Sequence, residues 1–163
     1  MKKIIVIGSP GSGKSRFSLA LSEKLGIPVF HLDLMFWNPD KTTVGREILI
    51  ERQRAVFERE EWIIDGNYKS TMELRLEACD TVFFLDYPTE VCIEGVRERR
   101  GVPRVDMPWI EVEEDEEFIE FIKGYREKER PRVMALFEKY KEKSIYIFKS
   151  REEGNAFLNE QNA

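Results

Sequence analysis

Cysteine is scarce in this 163-residue chain, with Cys79 and Cys92 its only two. Two thiols give neither a disulfide framework nor zinc-ligand spacing, and they read as free thiols in a reducing, cytoplasmic setting. His31 is the only histidine, and no Cys/His or Ser/His/Asp arrangement for nucleophilic catalysis stands out. Long apolar runs are missing: none approaches the roughly 20 residues of a membrane helix. Ile4–Ile7, between Lys2-Lys3 and Gly8, is too short for a signal peptide. A basic surplus is also missing. Lys and Arg number 26 against 31 Asp and Glu, a net charge of −5 and a pI near 5.2. That balance, with no basic stripe or helix-turn-helix pattern, opposes direct DNA binding. It leaves room for a local basic pocket around a small polyanion. Repeats, low-complexity tracts and linkers are absent too, so residues 1–163 read as a single domain.

What is present is alternation. Five short apolar runs, Ile4–Ile7, Val29–Leu32, Trp62–Ile64, Thr81–Leu85 and Ile145–Phe148, do not alternate with polar residues, as expected of strands buried on both faces of a parallel sheet. Segments of helical spacing lie between them. Phe17, Leu21 and Leu25 repeat at four-residue intervals, a charged stretch runs from about Thr43 to Glu60, and Val91 and Val96 lead into Arg97–Arg100. Strand alternating with helix gives an α/β fold of three layers. Around residues 100–117 the pattern breaks at Gly101, Pro103 and Pro108 and then turns acidic, which reads as a solvated loop or a lid. Phe118, Ile122 and Tyr125 mark an amphipathic helix that Pro131 must kink or restart.

Gly8-Ser9-Pro10-Gly11-Ser12-Gly13-Lys14-Ser15 fits the phosphate-loop pattern G-x-x-x-x-G-K-[ST], between an apolar strand and an amphipathic helix. Such a loop turns its amide N–H groups onto phosphate oxygens, and the helix N-terminus favours anions. Lys14 is placed to reach the β- and γ-phosphates, and Ser15 to bind Mg²⁺. The chemistry implied is that of ATP with Mg²⁺.

These residues, together with His31-Leu32-Asp33, Trp62-Ile63-Ile64-Asp65-Gly66-Asn67-Tyr68, Asp80–Asp86 before an arginine-rich helix, and Arg130-Pro131, resemble the adenylate-kinase-related P-loop kinases. Within them, the resemblance is to the DNA topology modulation protein subgroup, over nearly the whole chain. The resemblance implies a P-loop NTPase fold: a parallel five-stranded sheet of order 2-3-1-4-5, helices on both faces, and a small lid at about 100–117. Residues 33–61 then form the acceptor-binding region.

At the carboxyl edge of the second run, where α/β folds place ligands, Asp33 can orient an acceptor hydroxyl and take its proton. A helix cap is its structural alternative. In similar sugar and shikimate kinases an Asp there meets the acceptor or a metal-bound water. Asp65 ends the third run and, by resemblance, holds Mg²⁺ directly or through water, with Asp86 competing. Lys69 falls where adenylate kinases grip a monophosphate. Lid closure is expected to bring arginines onto the transferring phosphoryl group, with Arg99 and Arg130 the first candidates and Arg126 next. Gly95 departs from the resemblance, standing where relatives often carry an arginine. Two functions compete: an ATP-dependent phosphotransferase acting on a small acceptor, and a nucleotide-binding regulator of DNA topology or transcription. The acceptor (nucleotide, nucleoside or other hydroxyl compound) and the oligomeric state stay open.

Overall fold

The structure is a computed structural model describing residues 1–161. Strands β1 (Lys3–Gly8), β2 (Val29–His31), β3 (Trp62–Asp65), β4 (Thr81–Leu85) and β5 (Ser144–Phe148) form one parallel sheet of order β2-β3-β1-β4-β5. Around it lie α1 (Lys14–Leu25), α2 (Leu32–Phe36), α3 (Arg46–Phe57), α4 (Met72–Ala78), α5 (Thr89–Glu98), α6 (Glu116–Lys128), α7 (Arg130–Lys139) and α8 (Arg151–Glu160). This is the expected α/β sandwich with helices on both faces.

Successive strand residues point to opposite faces, so each central strand feeds two cores. Ile5, Ile7, Ile64, Val82 and Phe84 pack with Leu49, Leu76 and Phe137 of α3, α4 and α7. Ile4, Val6, Ile63, Phe83 and Leu85 pack with Phe17, Leu21, Ile122 and Leu158 of α1, α6 and α8. Each fully buried side chain of this kind contributes about 1.5–3 kcal/mol. The non-alternating reading holds for β1, β3 and β4 and departs at the edges. In β5, Ser144 and Tyr146 are exposed while Ile145 and Ile147 are half-buried, and all three β2 residues are half-buried. An edge strand has a neighbour on one side only, which leaves part of it to solvent.

The charged stretch from Thr43 becomes helical only at Arg46. Thr43 instead pairs with Trp37 across an antiparallel bridge, and the Val44 N–H donates to the Phe36 carbonyl at 2.9 Å. Pro131 sits in the first turn of α7, where its missing N–H has no helical partner to lose. No regular element lies between Glu98 and Glu116, and Asp115 caps α6 through the amides of Glu117 and Phe118. Among the described residues, no helix is long and apolar enough to cross a membrane.

Candidate functional site

The phosphate loop runs from β1 into α1 on the carboxyl edge of the sheet. Gly11 has φ +82, and a Cβ there would run into the Cys92 carbonyl of α5. The contact is mutual: a Cβ on Gly95 would meet the Gly11 carbonyl. Helix α5 therefore lies directly on the loop, main chain to main chain. That packing gives a physical reason for glycine at position 95. The Arg151 guanidinium occupies the space beside it, 3.3 Å from the Gly95 Cβ position and 3.8 Å from that of Gly13.

Lys14 crosses beneath the loop and donates to the Ser9 carbonyl at 3.2 Å. Burial lowers its pKa, Arg99 lowers it further, and Asp33 and Asp65 oppose both. The Ser9 hydroxyl turns back to the Pro10 carbonyl, and the Ser12 amide closes a turn on Ser9. Three polar atoms here are buried without a partner: Ser12 Oγ, Ser15 Oγ and Arg99 Nε. An orphaned buried donor costs about 1–3 kcal/mol, and such atoms gather where a ligand is to supply the missing partner. Burial and the charge of Arg104 lower the pKa of Arg99, while Glu111, Asp106 and Asp33 offset them.

On the other side of Lys14, β2 and β3 run in register with His31 opposite Asp65, and the two side chains meet at 2.6 Å through Nδ1. Burial alone would lower the His31 pKa. The hydrogen bond and charge of Asp65, joined by Asp106 and Asp33, outweigh it and hold the imidazole above its ordinary value. Asp33, in the first turn of α2, accepts from the Tyr68 hydroxyl at 2.5 Å. Burial and that acidic partner push the Tyr68 phenol far up. Beyond Tyr68 an aromatic wall continues through Phe36 and Trp37 to Trp109 of the 101–115 segment, in steps of 5.1, 5.4 and 5.5 Å between ring centres. Trp109 thus rests on Trp37, at the bridge that Trp37 forms with Thr43. From the same segment Arg104 forks onto buried Asp106 at 3.0 and 2.8 Å and reaches Glu111 at 3.6 Å.

Of the residues singled out in the sequence, the structure gathers Gly8–Ser15, Asp33, Asp65 and Arg99 around Lys14. Lys69 lies apart: its side chain is 63% exposed and pairs with Glu129 at 3.5 Å. Arg130 donates to both oxygens of Asp86 at 3.0 Å, and Arg126 joins at 3.3 Å. Buried Asp86 at the end of β4 is therefore an anchor for two arginines. Asn67, Tyr68, Asp106 and Arg151 were given no role in the sequence. The Asp-Gly-Asn-Tyr run was the available signal for the first two; no local pattern marks the others.

Neither of two open clefts, of about 260 Å³ beside Asp86, Arg126 and Lys149 and about 400 Å³ between β2 and α3, is lined by residues of the loop. The site is identified by its donors. The Ser15 hydroxyl and the Asp65 carboxylate fit a hard dication that takes its remaining ligands from phosphate and water.

No protein-family model matches the chain, and no curated protein does at the sequence level. Solved structures do. A shikimate kinase from Bacteroides thetaiotaomicron superposes with a TM-score of 0.64 at 22% identity, over 96% of this chain and 94% of that one. A sugar kinase from Janibacter gives 0.58 at 15%, over 98% and 91%. A shikimate kinase from Aquifex aeolicus gives 0.52 at 19%, over 96% and 91%. At these identities the likeness establishes the fold alone, a five-stranded parallel sheet of order β2-β3-β1-β4-β5 with helices on both faces.

Proposed function

We propose that this protein is an ATP-dependent phosphotransferase that moves the γ-phosphoryl group of ATP onto the hydroxyl of a small acceptor. One observation carries the reading: Ser12 Oγ and Ser15 Oγ, on the loop that carries the half-buried Lys14, and Nε of Arg99, whose charge acts on that lysine, are buried without a partner. The deficit fits a bound polyphosphate. The small-molecule kinases among its structural neighbours support it.

The loop amides and Lys14 bind the β- and γ-phosphates, and Arg99 stabilises charge on the equatorial oxygens. Ser15 and Asp65 would hold Mg²⁺, which supplies neutralisation of the polyphosphate when bound. Asp33, oriented by Tyr68 through one oxygen, accepts the acceptor proton through its other as the hydroxyl oxygen attacks phosphorus. The bond from the γ-phosphorus to the bridging oxygen breaks, and ADP leaves with its electron pair. Arg126 and Arg130 are held on Asp86 through one nitrogen each, whereas the Nε of Arg99 is buried without a partner, so the reading leans on Arg99. The segment 101–115, already resting on Trp37, excludes water that would otherwise take the phosphoryl group.

Purified protein with Mg-ATP, tested against nucleoside monophosphates, nucleosides and small hydroxylated metabolites while ADP release is followed, tests the reading. One acceptor class should raise ADP release well above the acceptor-free rate. Asp33→Asn should cut that turnover by about 10²–10⁴-fold with ATP affinity kept. Hydrolysis alone across every class contradicts the reading and favours the nucleotide-binding regulator.

A further inference from the structure

The kinase reading uses Asp65 and Tyr68 of the Asp65-Gly66-Asn67-Tyr68 run that leaves β3, but not what holds that run in place. Beneath the run lies Arg75 of α4, with 0% exposure. Its guanidinium donates to Gln53 Oε1 at 2.9 Å, to Thr71 Oγ1 at 2.7 Å and to the Asn67 carbonyl, and lies 3.5 Å from the Tyr68 carbonyl. These partners are neutral. Burial lowers the Arg75 pKa to about 9, opposed only by Cys79 and Tyr68. Gln53 is equally buried, and its amide donates to the Leu49 carbonyl and reaches Thr71 Oγ1 at 3.3 Å. A buried cation without a counter-ion destabilises a fold. What it holds in place is therefore the informative feature.

It holds two arms. The Asn67 amide group clamps the start of the phosphate loop from both sides, donating to the Gly8 carbonyl at 2.6 Å and accepting from the Gly8 N–H at 3.2 Å. Tyr68, in a left-handed conformation at φ +35 that non-glycine residues avoid, turns its hydroxyl onto Asp33. Where the main chain lies at 67–68 sets where both side chains reach.

We propose that Arg75 is the positioning residue that sets the phosphate loop and the acceptor carboxylate from one buried point, pinning the main chain of Asn67 and Tyr68, whose side chains hold Gly8 and Asp33. The catalytic consequence rests on the kinase reading; the mechanical one does not. Arg75 touches neither phosphate nor acceptor. It fixes the separation between donor and acceptor sides, to which in-line transfer is steeply sensitive.

Arg75→Lys keeps the charge but cannot span all of these acceptors, and amide hydrogen exchange of the full chain reads the first arm without any ligand. The Gly8 amide should exchange at least about tenfold faster while the interior amides of β1 and β4 keep their protection. Turnover with the best acceptor should fall about tenfold to a hundredfold. Combining it with Tyr68→Phe should lower turnover little further than the larger single loss, because both variants break one relay. Should Arg75→Lys fail to fold, Thr71→Val removes one of its acceptors more gently and should still loosen Gly8. Unchanged Gly8 exchange, protection lost equally across the sheet, or turnover losses that multiply would each overturn the proposal. If wild type transfers phosphoryl to no acceptor, the kinase reading fails separately, and Gly8 exchange still decides the relay.

Discussion

Lys14 makes one hydrogen bond, to the Ser9 carbonyl, and burial and Arg99 work against its charge more than Asp33 and Asp65 support it. The account therefore expects Lys14→Ala to leave the melting temperature unchanged or raise it, while phosphoryl transfer falls at least about a hundredfold. Thermal unfolding and ADP release in the same preparation check this, and a variant with wild-type turnover would remove Lys14 from the site. His31 makes the opposite case. Its folded pKa is raised above 6.5, so the stabilisation from the protonated imidazole is fully present below the unfolded value. It is lost as pH rises through the raised folded value. The imidazole proton resonances should titrate with a midpoint above 6.5, and in Asp65→Asn that midpoint should fall. A wild-type midpoint at or below 6.5 would mean that burial, not Asp65, dominates. The sequence offered His31 and Asp65 as separate residues. Only the β2–β3 register makes them a pair, and that register is a long-range property.

At the scale of elements, the contact of α5 with the phosphate loop leaves no room for a side chain at position 95. Gly95→Ala drives a methyl into the Gly11 carbonyl. Overpacking of this kind costs about 1–3 kcal/mol, and here the strain falls on the loop, so ATP affinity should drop at least about tenfold. Gly124→Ala in α6, whose added methyl meets only the flexible Lys128 side chain, should bind ATP as wild type does. Equal binding by both variants, measured by calorimetry, would show that the loop does not depend on α5. The 101–115 segment behaves differently. Val102, Val105, Ile110 and Val112 are exposed, and the segment is held by Arg104–Asp106, the Gly101–Glu111 main-chain bond and Trp109. So few buried apolar contacts imply a low opening free energy. Its amides should exchange fast without ligand and slow on binding a dinucleoside polyphosphate, whereas strong protection in both states would make it a fixed loop. The break at Gly101, Pro103 and Pro108 made this segment legible. The Arg97–Glu114 pair was not, because it joins residues 17 positions apart across a stretch without regular structure.

For the whole molecule, burial on both faces wrote β1, β3 and β4 into the sequence as unbroken apolar runs, and the phosphate loop as a spaced pattern. The strand order came through family likeness and now stands on the sheet itself. The rest was illegible for a shared reason. Arg75 reads as a surface residue by type and Asp86 as a rival metal ligand; both are buried, and Arg126 and Arg130, expected at the phosphates, pair with Asp86. Identities of 22%, 19% and 15% to the three structural neighbours leave function to the site's own chemistry. The most direct test follows the γ-phosphoryl group itself. ATP labelled at that position is incubated with Mg²⁺, the protein and a small-molecule extract rich in hydroxylated compounds, and the products are separated. The account predicts label in a new phosphorylated small molecule, formed by wild type and absent with Asp33→Asn. Label found only in ATP and inorganic phosphate would contradict it.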